Sequence, residues 1–142
     1  GEPIPQPEAA VDTVMPHARE HRWFTERDRT ACNVLDVVHP LWLCARQVDY
    51  RRAEVRDQVA ALLVDTLGRW VDGAGFAFAA PGEPGGNDVP GLQGTEMWLA
   101  ILWLAADVLG ESAGLSWRPR GVHRPEAAGS LAVAPDPGRS GP

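Results

Sequence analysis

The chain has 142 residues and a formal net charge of −6, and all 13 of its basic residues are arginine. This length suits one domain and is too short for two well-formed ones. The acidic balance argues against nonspecific binding of nucleic acid, which requires a basic footprint. The absence of lysine excludes Schiff-base chemistry and a P-loop lysine.

Composition divides the chain into three parts. Residues 1–22 are rich in proline and predict a flexible or extended lead-in. Residues 23–117 carry the apolar periodicity and predict one helical unit, whereas residues 118–142 predict an arginine-rich strip followed by a disordered tail. The longest uninterrupted apolar run, Met97–Ala106, is too short to cross a bilayer. With no signal peptide pattern, we expect a cytoplasmic protein without a membrane span.

The first predicted helix, residues 26–47, is apolar around most of its circumference. Asn33, Asp36 and His39 form its single narrow polar stripe. Pro40 lacks an amide proton and crowds the carbonyl of Asp36, which predicts a kink. The two cysteines, Cys32 and Cys44, are too far apart along this helix for a disulfide, so we expect buried, reduced thiols.

The second predicted helix, residues 50–71, is amphipathic and differs from the first in having a single apolar face. Asp49 is its predicted N-cap, and Asp72-Gly73 its end. The residues that we expect to form its buried face are Val55, Val59, Leu62, Leu63, Leu67 and Trp70.

A turn-rich segment, residues 72–94, precedes the third predicted helix. That helix covers Thr95 to Leu109, with Thr95 as the N-cap and Gly110 in the C′ position. Because it is apolar on nearly all sides, it predicts an inner helix, as does the helix at residues 26–47. Three helices cannot surround two such segments, so we expect part of the core to come from outside the chain.

The sequence DGAGF at residues 72–76, followed by the leucine-rich helix from Thr95 to Leu109 and by Gly110, resembles a repeat of the terpenoid-cyclase and prenyltransferase type of α/α toroid. The resemblance covers about residues 28–110. It implies an all-α fold: a helical hairpin plus a third apolar helix, an α/α-toroid-like fragment with irregular Pro/Gly-rich tails. The chain offers fewer helix pairs than a complete toroid. We therefore expect either a preceding domain of the same polypeptide or self-association.

Three residues are candidate catalytic groups. Asp36 is placed to orient His39 as a proton carrier, and Glu96 lies in the first turn of an apolar helix. A non-catalytic alternative stays open for each. The Asp36 and His39 pair also suits an exposed helix edge or a hydrogen bond that fixes the kink, and Glu96 also suits a capping role at the helix dipole.

A second group of residues is predicted to contact substrate. The aromatic members suit an isoprenoid, a sugar or a cationic ligand, or else packing at an interface. The basic members suit a phosphate or carboxylate, or else pairing with acidic groups of the domain. These candidates are Asn33, Trp42, Phe76, Gln93, Trp98, Arg120 and His123.

Two functions remain open at this point. The first is part of a toroid-type enzyme whose Trp-lined cavity performs acid/base chemistry on an apolar, isoprenoid-like or sugar-like substrate. The second is a non-catalytic helical module for interaction or oligomerisation. The sequence predicts no cofactor and no metal site. The expected partners are a second copy or a preceding domain, together with a small-molecule ligand.

Overall fold

The computed structural model describes residues 3–20, 29–80 and 88–119. In this part of the chain 62% of the residues are helical and no strand is present, which confirms the all-α prediction. The four helices are α1 (Pro7–His17), α2 (Ala31–Ala45), α3 (Arg52–Leu67) and α4 (Leu92–Leu109), and a short 3-10 helix (Ser112–Gly114) follows them.

Helix α1 occupies the segment that the sequence predicted to be flexible or extended. Pro7 lies in its first turn, where a missing amide proton costs no helical hydrogen bond. Val11 and Met15, one turn apart, are buried in the core, and α1 packs against α2. The lead-in prediction was wrong for these residues, because Pro7 suits the first turn of a helix and Val11 and Met15 give that helix a buried apolar face.

The two helices predicted to be inner ones lie in the middle of the molecule. Helix α4 packs against α2 on one side and α3 on the other, and α1 covers a further side of α2. The largest fully buried side chains include Trp98, Ile101 and Leu104 of α4 and Leu41 of α2. Helix α1, which the sequence did not predict, thus covers part of α2.

Helix α4 begins earlier than predicted, at Leu92, and Gly91 rather than Thr95 is its N-cap. Thr95 lies inside the first turns and its hydroxyl accepts a hydrogen bond from the Phe76 amide at 3.0 Å. The backbone of residues 76–78 approaches so closely that a Cβ on Gly94 would lie 2.6 Å from the Phe76 carbonyl oxygen. Thr95 and Gly94 therefore fix the loop before α4 onto that helix.

The other end of α4 stops at Gly110, as predicted. Gly110 adopts a left-handed conformation with φ 84°, and the Glu111 amide donates to the Ala106 carbonyl at 2.8 Å. The Arg56 guanidinium of α3 donates to the Val108 and Leu109 carbonyls at 2.9 and 3.1 Å. These bonds satisfy carbonyls that the helix itself leaves without a partner.

The connection between α2 and α3 ends in a strained residue. Arg51, rather than Asp49, is the N-cap of α3, and its φ of 46° is unusual for a residue with a Cβ. Its guanidinium lies 2.7 Å from a carboxylate oxygen of Asp12 in α1 and 2.6 Å from one of Glu54 in α3. Hydrogen bonding to Arg51 holds the pKa of both carboxyls below their usual range. The two ion pairs hold Arg51 between α1 and α3.

Candidate functional site

The structure places the predicted catalytic residues around the polar edge of α2 and the first turns of α4. Asp36 and Glu96 are exposed, and His39 is half-buried with its ring centroid 6.1 Å from that of Trp42. Neither carboxylate is shielded from water, so neither has the low-dielectric surroundings that strengthen acid/base catalysis. Their catalytic role stays a prediction.

Among the predicted substrate-contact residues, the aromatic ones belong to the core. Trp98 is fully buried and its indole donates to the Ala77 carbonyl at 2.8 Å. Phe76 lies between two tryptophans, with ring centroids 6.3 Å from Trp98 and 5.1 Å from Trp70. This aromatic cluster accounts for part of the high tryptophan content.

The polar members of the same set are scattered. Asn33 is half-buried at the start of α2, and Gln93 is exposed in the first turn of α4. Arg120 and His123 lie outside the described residues. Within the described residues, Asn33 and Gln93 therefore do not share one cavity with the aromatic candidates.

The cysteines also differ from the prediction. Cys44 is buried, as expected, whereas Cys32 is exposed on α2. Desolvation raises the pKa of both thiols, and for Cys32 the neighbouring Asp36 carboxylate raises it further. Neither thiol is placed to act as a thiolate nucleophile.

Among the described residues, several large apolar side chains are exposed at the C-terminal end of α3. Val55 and Val59, in the first half of the helix, are buried as the periodicity predicted. Val64, Leu67 and Trp70, in and just beyond its last turns, are 71%, 57% and 46% exposed. Leu67 and Trp70 were predicted to be buried, and that prediction was wrong. The apolar face of α3 continues further than the neighbouring elements cover it.

Two depressions lie on either side of Trp70. The first, of about 450 Å³, is a groove between α3 and α4 that reaches Trp117, and Glu111 is the one charged residue among the described residues of its wall. The second, of about 500 Å³, is bordered by the last turn of α3 and by Val71, Ala77 and Pro90. The first groove is lined by Leu63, Leu67, Trp70, Phe76, Leu99, Leu102, Ala106, Glu111, Leu115 and Trp117.

We call the exposed side chains of Val64, Leu67 and Trp70, together with these two depressions, the Trp70 surface. Leu99 and Leu102 of α4 form its floor and are only partly buried. These residues lie at the junction of α3 and α4. The expectation that part of the core comes from outside the chain stays a prediction.

No family model, curated protein or solved structure matches this chain.

Helix α4 also has the length and composition of a membrane-spanning helix. It contains 18 residues with a mean hydropathy of 1.2, and 44% of them are buried inside the molecule. It is longer than the apolar run Met97–Ala106 because the helix begins five residues before Met97. The core helix of a soluble protein meets the same criteria, so this similarity is weak evidence for membrane insertion.

Proposed function

We propose that this chain is a helical association module that buries the Trp70 surface against a second copy of itself. The observation that carries the proposal is the exposure of Leu67 and Trp70, which the apolar periodicity of α3 assigns to a buried face. Contiguous exposed apolar surface of this kind marks interaction sites, whereas apolar residues exposed singly do not.

The shape of the surface favours a second copy. An interface around a two-fold axis uses the same patch on both subunits, so that patch must supply both projections and recesses. Leu67 and Trp70 supply partly exposed apolar side chains in the wall of the α3–α4 groove, and Trp70 also borders the second depression. The same patch therefore contains both of the parts that a symmetric contact requires.

The walls of the two depressions carry few charged groups. Of the described residues in the wall of the α3–α4 groove, Glu111 alone is charged. Beside the second depression, Asp65 is paired with Arg29 at 3.1 Å and with Arg69 at 3.0 Å, and Asp88 also lines the wall. An apolar contact between identical chains then leaves Glu111 and Asp88 at its polar rim.

Sedimentation velocity over a concentration series tests the proposal. We expect a reversible species of twice the 15.3 kDa chain mass, whose fraction rises with concentration. A chain that stays monomeric up to millimolar concentration would overturn self-association. A chain that stays monomeric but binds a detergent or an isoprenoid alcohol in the groove would instead support an apolar-ligand site there.

A further inference from the structure

A third concavity, separate from the two depressions of the Trp70 surface, lies where α2 and α4 end and α3 begins. It differs from the Trp70 surface in its charge. It encloses about 90 Å³, enough for a few water molecules or a small ligand. Arg46, Arg52 and Arg56 line it, together with the carboxylate of Asp107. In a chain of net charge −6, three guanidinium groups around one small cavity are an unusual concentration of positive charge.

The carboxylate in this wall is already engaged. Asp107 accepts a hydrogen bond from the Trp42 indole at 2.7 Å and another from the Ser112 hydroxyl at 2.6 Å. Its contact with Arg46 is longer, at 3.6 Å. Asp107 carries one negative charge against the three guanidinium groups of the wall; nearby, Asp49 pairs with Arg52, and burial together with the Glu8 carboxylate raises the pKa of the lining Cys44 thiol.

The arginines retain donors for a ligand. Arg46 stacks over the Trp42 ring at 4.7 Å, and its side chain is 54% exposed. Arg52 forms a long, exposed ion pair with Asp49, at 3.4 Å, and such a pair is easily exchanged. Each guanidinium carries five N–H donors, more than these contacts use.

The carbonyls at the nearby helix ends do not oppose an anion strongly. Arg56 donates to the carbonyls of Val108 and Leu109, at the end of α4. The Cys44 carbonyl, at the end of α2, accepts from the Gln47 and Val48 amides. Both ends are thus hydrogen-bonded, which reduces the negative potential that a helix C-terminus presents.

The remaining wall of the cavity is apolar, with Val11, Val48, Val55 and Val108 among its members. We propose that this cavity binds a small organic anion, a short-chain carboxylate whose head group pairs with Arg46 and Arg52 while its hydrocarbon part contacts the valines. A guanidinium binds a carboxylate with two parallel hydrogen bonds, which suits this ligand better than a spherical ion. The proposal is independent of self-association at the Trp70 surface.

The test is an NMR titration of the full chain with sodium butyrate, with acetate as the shorter probe, at constant ionic strength maintained with sodium chloride. We expect the indole N–H resonance of Trp42 to shift saturably, with butyrate bound more tightly than acetate. Arg46→Gln should weaken butyrate binding about tenfold or more, because it removes a charge-assisted hydrogen bond. Arg19→Gln makes the same change of charge on an exposed residue outside the cavity wall and should leave the affinity unchanged.

A second variant tests the location of the ligand. Val48→Met adds volume to the partly exposed edge of the cavity and should weaken butyrate binding more than acetate binding. Shifts that never saturate, or equal affinities in Arg46→Gln and Arg19→Gln, would overturn the proposal. If the Arg46→Gln spectrum loses its chemical-shift dispersion, that variant is unfolded and Val48→Met becomes the test. In that case, unchanged affinities of Val48→Met for both butyrate and acetate would overturn the proposal.

Discussion

The replacement of Leu67 by glutamate separates the proposed association from folding. Leu67 is 57% exposed in the single chain, so a polar replacement removes little of the core of the monomer. Complete burial of a leucine contributes about 1.5–3 kcal/mol, and covering the exposed part at an interface therefore contributes about 1–1.5 kcal/mol. In a two-fold symmetric dimer this residue occurs twice, which gives roughly 2–3 kcal/mol.

A loss of this size weakens the dimer about 30- to 150-fold, and burying the new carboxylates adds to the effect. Sedimentation velocity at matched concentrations measures the change. The matched control is Ala61→Glu, which places the same charge at an exposed position of the same helix. We expect Ala61→Glu to leave the dissociation constant within about threefold of the unchanged chain, since surface charges act weakly.

Circular dichroism establishes that both variants are folded. Equal weakening of the dimer by Leu67→Glu and Ala61→Glu would show that added charge alone, and no contact at Leu67, controls association. An unaffected dimer in Leu67→Glu would place the interface elsewhere on the chain. Either result would refute the proposal that the Trp70 surface pairs with itself.

Two further predictions concern the fold. Gly94→Ala should destabilise the chain by about 1–3 kcal/mol in urea unfolding, because its Cβ would lie 2.6 Å from backbone atoms of the preceding loop. Gly68→Ala, whose Cβ would have its nearest neighbour at 3.4 Å, should be close to neutral, and equal costs would contradict the proposed close approach. The second prediction is that acid weakens the fold. Arg51 lowers the pKa of Asp12 and Glu54 from their usual 3.8 and 4.5, so the stability that they contribute is present above those values and is lost as pH falls below them. In the double variant Asp12→Asn, Glu54→Gln, the midpoint of urea unfolding should depend less on pH between pH 5 and 3 than in the unchanged chain. A pH dependence as steep as that of the unchanged chain would refute the linkage.

The sequence predicted the three longest helices because each contains a long run of apolar residues at helical spacing, bounded by turn-forming residues. It did not predict α1, because the segment is rich in proline and the spacing of Val11 and Met15 is by itself a weak helical signal. It also mistook Thr95 for a cap. The hydroxyl of Thr95 bonds instead to Phe76, 19 residues earlier in the chain, and such a tertiary contact leaves no local signal.

The candidate site was predictable only in part. Periodicity identifies Leu67 and Trp70 as apolar positions on one face of α3, but it cannot show whether a neighbouring element covers them. The arginine cavity was not predicted at all. Its members come from the end of α2, from α3 and from α4, and only the packing of the helices brings Arg46 and Arg56 into one wall.

The Trp70 surface combines residues of α3 and α4 and therefore exists only in the folded chain, so association and folding should be thermodynamically linked. A partner that binds only the folded chain stabilises it by about 2.7 kcal/mol when its concentration is 100 times the dissociation constant. For a chain of this size that gain corresponds to a rise of roughly 10 °C in Tm.

We therefore expect Tm to rise with protein concentration in the unchanged chain and in Ala61→Glu, and to be nearly constant in Leu67→Glu. Differential scanning calorimetry across a hundredfold range of concentration measures this dependence. A Tm that is independent of concentration in a chain that sedimentation shows to be dimeric would mean that the unfolded chain associates as strongly as the folded one, and the proposed association through the folded Trp70 surface would be wrong.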